Sequence, residues 1–266
     1  MSLEKTLSLL QQRTARLEPG HVWLAGAGPG DLGCLTLDVV SALTQADVVV
    51  HDALVDPAVV AIAEGAELFY VGKRGGQLSI TQAEITARLI ALAKAGRKVL
   101  RLKGGDPYVF GRGGEEALAL AREGIPFRFL PGITSGLAAL GSIGIPPTMR
   151  GLNKAIILAT GQTADPGDEL DWRALARTGQ PILIYMGLKI LARITAELIA
   201  GGLSPDTPAA IVMSATTPRE RVHVATLGTI ADDAERLGFA SPVLTAVGKI
   251  VSMRAELLAL AGQVEK

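Results

Sequence analysis

The residues of this chain that could do chemistry sit in glycine-rich segments. The first, Gly26-Ala27-Gly28-Pro29-Gly30-Asp31, follows an apolar run and precedes a helical pattern. A dinucleotide fingerprint needs Gly-x-Gly-x-x-Gly, with amides facing a pyrophosphate at a helix start. Here Gly26, Gly28 and Gly30 fall two apart, and Pro29 removes one amide donor. Gly33 gives a loose match from Gly28 at the wrong offset, and Asp52 could serve as the acidic ribose ligand. The segment is open to three readings: a dinucleotide, another adenosyl ligand or substrate, or a plain turn.

Arg101-Leu102-Lys103-Gly104-Gly105-Asp106-Pro107 ends a strand pattern with a sharp turn. Ligands of open α/β sheets bind outside the carboxyl ends of strands, where this loop falls. Its paired glycines let a ligand approach the backbone, and Asp106 could accept from a ribose or an amine. An ordinary strand-to-loop turn is the alternative. In Phe110-Gly111-Arg112-Gly113-Gly114-Glu115-Glu116, an arginine stands near a helix start. Cations favour the other end of a helix, so Arg112 suits an anionic ligand unless it is simply solvated. Lys73, Arg74, Arg101, Lys103, Arg112, Arg150 and Lys154 crowd the same loops. Together they point to a polycarboxylate or phosphate ligand; any one of them alone reads as a surface charge.

Two sets of five strand patterns must position these loops. The first covers 22–26, 47–51, 67–71, 98–102 and 127–130, whose apolar runs suit parallel strands covered on both faces. The second covers 155–160, 181–186, 209–213, 222–227 and 243–247. Between them lie helical patterns at 188–200 and 229–237, and one opening at Ser79, where Ser79-Ile80-Thr81-Gln82 fits a capping box. That helix closes at Gly96, a suitable C-cap. Strand and helix alternate throughout, so the fold class is α/β, with two α/β domains and a cleft between them. The expected division is an N-terminal helical extension over 1–19, with leucines at helical spacing, then domains over 20–131 and 132–260.

The 266 residues are 48% apolar and 20% charged with a mean hydropathy of +0.35, which supports a sizeable core and speaks against disorder. Lys+Arg and Asp+Glu number 26 each, so no global field draws the protein to nucleic acid or an acidic membrane. Aromatics are 4%, too few for a base-stacking platform. One cysteine, Cys34, rules out an intramolecular disulfide, and three scattered histidines argue against a metal site. The 21 uncharged residues 129–149 approach the length of a membrane span, but four glycines and three prolines make them loop, helix, loop. With no basic and apolar leader after Met1, the expectation is a reduced, cytoplasmic protein without nucleic-acid or membrane partners.

The segments Gly26–Asp31, His51-Asp52-Ala53-Leu54-Val55, Gly72-Lys73-Arg74, 101–116 and Pro131-Gly132-Ile133-Thr134-Ser135 occur in a telling order. With Gly144-Ile145-Pro146, Tyr185-Met186-Gly187 and 242–251, the chain resembles the uroporphyrinogen-III C-methyltransferases over about residues 20–255. The run RLKGGDPYVFGRGGEE is the specific part. The resemblance implies two methyl transfers from S-adenosyl-L-methionine to uroporphyrinogen III, at C2 and then C7. The products would be precorrin-2, by way of precorrin-1, and S-adenosyl-L-homocysteine, with no metal. It also implies a homodimer. The cofactor positions would be Pro29, Gly104, Gly105, Asp106, Val109, Thr134, Ser135, Met186 and Ala215. Asp52 would match the proton acceptor and Lys73 the proton donor, while Arg112, Glu115 and Arg150 match positions that hold or activate the tetrapyrrole.

The chemistry suits this inventory. A sulfonium methyl is already activated, so alignment can supply most of the acceleration, about 7–11 kcal/mol, without a nucleophilic triad or a metal. Where family members often carry Gly-Ile-Pro-Leu-Thr-His-Arg and Thr-Gly-His, this chain has Pro147, Met149 and Gln162. Those departures leave two alternatives beside the main expectation: methylation of a later precorrin, or a degenerate tetrapyrrole-binding protein.

Overall fold

The computed structural model describes residues 5, 8, 15–72, 80–163 and 169–262. The chain divides into two compact units, Met1–Thr134 and Ser135–Lys266. The first is built on β1 (Val22–Gly26), β2 (Val48–His51), β3 (Glu67–Tyr70), β4 (Val99–Lys103) and β5 (Phe127–Leu130). All pairings are parallel, in the order β3-β2-β4-β1-β5.

Alternation along the strands splits the core of this unit into two layers. Trp23, Ala25, Val49, Leu100 and Leu102 face one way, against helices α1 (Leu37–Leu43) and α2 (Pro57–Val60). Val22, Leu24, Val48, Val50 and Val99 face the other, against α3 (Gln82–Lys94) and α4 (Gly113–Arg122). Leu17 is buried in the first layer, and its N–H donates to Gln45 Oε1 at 3.0 Å; most of the expected N-terminal extension lies outside the described residues. The helix α3 starts two residues later than a Ser79 cap implies. Thr81 is its N-cap, and Thr81 and Glu84 form the capping box, because the glutamate at the third helical position is what closes such a box. Ser79 itself lies outside the described residues.

The second unit contains β6 (Ile157–Thr160), β7 (Ile182–Tyr185), β8 (Pro208–Met213), β9 (Arg221–Thr226) and β10 (Val243–Val247), in the order β6-β7-β10-β8-β9. Its helices are α5 (Ser135–Ser142), α6 (Trp172–Arg177), α7 (Leu191–Ala200), α8 (Ile230–Arg236) and α9 (Met253–Leu260). Only β6 and β7 pair in parallel; β10 runs antiparallel to both β7 and β8, and β8 and β9 are an antiparallel pair. Strand–helix alternation therefore fails between β8 and β9, where a turn takes the place of a helix. The uncharged run 129–149 holds the end of β5 and the eight-residue α5. Among the described residues no helix is long and apolar enough to cross a membrane.

Candidate active site

The loops at the carboxyl ends of the first sheet are joined to one another by main chain. Gly28 N–H donates to Gly105 O at 3.1 Å, and Gly105 N–H donates to Gly28 O at 2.6 Å. A Cβ on Gly132 would stand 2.2 Å from Gly105 O and 2.7 Å from Gly26 Cα, so the loops after β1, β4 and β5 meet with no room for a side chain. On the other side of β4, a Cβ on Gly104 would stand 2.7 Å from Leu54 Cβ, in the loop after β2.

This seam removes one of the three readings of the first glycine loop. The Gly28 amide is used up by Gly105, so it cannot cradle a pyrophosphate. Nor does a helix start at the loop: Asp31 Oδ1 accepts from Gly33 N–H at 2.6 Å and caps a single 3₁₀ turn, and α1 begins only at Leu37. The dinucleotide reading fails on both counts, and Pro29 is held in a structured turn.

Asp106 is engaged within the protein. Its Oδ1 accepts from Tyr108 N–H at 2.8 Å, and its Oδ2 accepts from Gly132 N–H at 3.2 Å. It fixes the Gly104-Gly105 loop to the segment that carries Thr134. Tyr108 stacks on Phe129, with ring centroids 3.8 Å apart. Val109 follows, with its N–H donating to Asp106 O at 3.2 Å. Arg112 is the N-cap residue of α4 in the left-handed conformation, φ 60°, and Phe110 has φ 54°. Such non-glycine backbone costs about 1–3 kcal/mol and gathers at functional loops. The Arg112 side chain is 58% exposed and its Nε donates to Glu115 Oε1 at 3.0 Å.

Asp52 lies just beyond β2, with its side chain 25% exposed. Oδ1 accepts from Leu54 N–H at 3.1 Å, and Oδ2 stands 3.7 Å from an Arg101 guanidinium nitrogen. It therefore both caps a turn and faces a buried cation. Lys73 and Arg74 lie outside the described residues.

The basic cluster needs correction. Arg101 and Lys103 are 1% and 5% exposed and are not offered to a ligand. They alternate with Leu100 and Leu102, so they share the face of Val99 and point at α4. There Gly113, Glu116, Ala117 and Leu120 form its buried stripe, and Glu116 is 0% exposed. Glu116 Oε1 accepts from Arg101 Nε at 3.1 Å and Gln82 Nε2 at 2.9 Å, and lies 3.5 Å from Lys103 Nζ. Glu116 Oε2 is buried without a hydrogen-bond partner among the described residues. Arg101 also donates to Val50 O and Leu102 O. Burial, then the neighbouring Arg101 charge, push Lys103 below the usual lysine range, against the pull of Glu116 and Asp52. Burial likewise pushes His51 below its ordinary value. Sequence reasoning missed Glu116; its spacing of three from Gly113 and four to Leu120 on a helix was the available signal.

In the second unit, Ser135 begins α5, and Gly136 N–H donates to the buried Tyr185 hydroxyl at 2.9 Å. Met186, which follows Tyr185, is exposed with φ 52°. A Cβ on Gly161 would stand 2.5 Å from Gly187 Cα, so the Gln162 loop adjoins the Met186-Gly187 loop. Ala215 is buried between Ser214 and Thr216, with φ of 49° and 63°. Glu220 Oε2 accepts from Thr216 N–H and Ser142 Oγ, both at 2.7 Å, tying this turn to the far end of α5. Arg150 and Met149 are exposed, and Met149 N–H donates to Asn153 Oδ1 at 2.9 Å.

The family model described as Tetrapyrrole (Corrin/Porphyrin) Methylases matches residues 21–231. A uroporphyrinogen-III C-methyltransferase of Sinorhizobium sp is 49% identical over 244 residues, 91% of this chain and 87% of its own. A siroheme synthase of Stutzerimonas stutzeri is 43% identical over 94% of this chain, which spans only 54% of that longer protein. Among solved structures, a uroporphyrin-III C-methyl transferase from Thermus thermophilus, complexed with S-adenyl homocysteine, superposes with a TM-score of 0.77. It is 40% identical, and the match covers 88% of this chain and 99% of that one.

Proposed function

The chain belongs to the tetrapyrrole (corrin/porphyrin) methylase family, and from that premise we propose that it methylates carbon atoms of uroporphyrinogen III with S-adenosylmethionine. The observation that carries this reading is 49% identity over 91% of the chain to a relative of that name; this chain's run RLKGGDPYVFGRGGEE leads from β4 into α4. The proposal includes two transfers, at C2 and then C7, giving precorrin-2 by way of precorrin-1. It also includes a homodimer in the cytoplasm, whose assembly state sedimentation measures directly.

The residues present fit the cofactor. Of Pro29, Gly104, Gly105, Asp106 and Val109, only Asp106 is charged, and both its oxygens accept backbone protons. The two cations leading into this loop are turned inward onto Glu116. The loop thus presents no cation from β4 to a sulfonium. Thr134, Ser135, Met186 and Ala215 are the remaining proposed cofactor positions. When bound, the cofactor supplies a methyl group already activated by positive sulfur.

The chain's own residues then bind, orient and move protons. Asp52, partly exposed and 3.7 Å from Arg101, would accept the pyrrole N–H proton as carbon nucleophilicity develops. Lys73 would return a proton. Arg112 is free to leave its exposed pairing with Glu115, worth about 0–1 kcal/mol, for a stronger bond to a substrate carboxylate. Arg150 would hold a second carboxylate. An anaerobic incubation with S-adenosylmethionine and enzymatically generated uroporphyrinogen III, followed by mass analysis, tests the reading. Two added methyl groups are expected; no transfer by folded, cofactor-binding protein would refute it.

A further inference from the structure

The buried charges around Glu116 are hard to explain by stability. Taking ions out of water is expensive, and apolar residues of similar volume often serve a core as well or better. Yet four charged groups meet at the ends of the two strands that carry the proposed chemistry. Asp52 follows β2, Arg101 and Lys103 close β4 just before Gly104, and Glu116 comes up from α4. Gln82 completes the group from α3, and His51 is the titratable neighbour on β2 itself.

We propose that Glu116 is a positioning residue, which locks the Arg101 guanidinium against Asp52 and sets how strongly Asp52 holds a proton. The inference rests on the reading of Asp52 as proton acceptor. Arg101 is fixed on three sides, by Glu116, Val50 O and Leu102 O, which leaves its remaining nitrogen aimed at Asp52 Oδ2. With Arg101 and Lys103 protonated, Glu116 and Asp52 together neutralise them. Without the Glu116 charge, the two cations would fall to Asp52 alone, and the carboxylate would become a weaker base.

The test is the pH dependence of kcat, read on Glu116→Gln, Arg101→Met, Asp52→Asn and the double variant Glu116→Gln/Lys103→Met. Glutamine keeps the Oε1 acceptor while removing the charge. In that variant the acid limb should move to lower pH and plateau kcat should fall, with S-adenosylmethionine affinity kept within about twofold, since only a transition-state interaction is lost. Arg101→Met should move the limb the other way, by about one unit or more, as expected on losing a cation close to a carboxylate. The double variant removes one charge of each sign, a change that buried pairs tolerate, and should restore the limb of the parent enzyme. It keeps the question open to measurement even if Glu116→Gln does not fold. An unmoved limb in Glu116→Gln, or a double variant displaced from the parent, overturns the role of Glu116. Asp52→Asn separates the two layers. Lost turnover there with an unmoved Glu116→Gln profile removes Glu116 alone, whereas retained turnover removes Asp52 from the chemistry and the inference with it.

Discussion

Replacing Gly132 by alanine strikes the point where three loops of the first unit meet. The new Cβ would lie 2.2 Å from Gly105 O, 2.7 Å from Gly26 Cα and 2.8 Å from Gly26 C, all main-chain atoms that have no rotamer to change. The segment must back away, and as it does the Gly132 N–H bond to Asp106 Oδ2, already 3.2 Å, is lost. Overpacking costs about 1–3 kcal/mol and a hydrogen bond to a charged group about 1.5–3, so the loss should be at least ~2.5 kcal/mol. For a unit of this size that is a fall of roughly 10 °C in its melting temperature. The assay is urea unfolding followed by Trp23 fluorescence in a Trp172→Phe background, so that only the first unit reports. Calorimetric titration with S-adenosylmethionine should show at least about tenfold weaker binding, worth ~1.4 kcal/mol, as the Gly105 backbone shifts. Gly26→Ala meets the same Gly105 oxygen at 2.5 Å, so the double variant should be less damaging than the two losses added together. Stability within about 0.5 kcal/mol of the parent, the range of an ordinary surface change, together with unaltered cofactor affinity, would show that the seam is not tight.

Two neighbouring glycines of α4 should respond in opposite senses. A Cβ on Gly113 would stand 2.6 Å from Pro107 O, whereas one on Gly114 meets nothing within 4 Å. Gly114→Ala should therefore stabilise by about 0.4–1 kcal/mol in chemical denaturation, and Gly113→Ala should destabilise. Arg112→Ala should reduce kcat/KM for the tetrapyrrole by more than about tenfold while hardly changing stability, because the exposed pair it loses is worth little. A collapse of cofactor binding in the folded variant would refute its assignment to substrate. His51 binds its proton less readily in the folded chain than in the unfolded one, so the unfolded state holds more protons below its ordinary value near ~6.5. The parent should lose stability relative to His51→Asn as pH falls from about 6.5 toward 5; equal pH dependence of the two proteins would contradict that.

The strands were legible because apolar runs long enough for a buried strand stand out between glycines and prolines. Their residue ranges 22–26, 127–130 and 243–247 match β1, β5 and β10, and the others differ by no more than two residues at an end. Orientation was less legible. Val243-Leu244-Thr245-Ala246-Val247 is as apolar as any parallel strand, yet β10 runs antiparallel to both its neighbours. Nothing local in a central strand records which way its partners run. In β9 the alternation of Val222, Val224 and Thr226 with Arg221 and His223 misleads as well, since Val224 is exposed while His223 is half-buried and Ala225 packs on the core. At the site, the loop segments could be named from residue order, but not the direction their charges take. Arg101 and Lys103 read as ligand contacts because cations rarely enter a core. The period of two that places them with Val99, and the helical spacing that places Glu116 opposite, matter only once β4 and α4 are known to pack together.

The glycine seam under the first unit's loops also says where a protein of this kind can diverge. Its close contacts are largely main chain to main chain, so no side chain at Gly26, Gly105 or Gly132 is available to be traded for another. Outside it stand Leu54, Tyr108, Phe110, Arg112 and Glu115, all exposed. A change at Glu115 should alter stability by no more than about 0.5 kcal/mol, whereas Tyr108 carries its stacking on Phe129, and Phe110 and Arg112 sit on left-handed backbone. A substitution in the seam therefore displaces three loops at once, whereas one outside it changes a single side chain and leaves their joint in place.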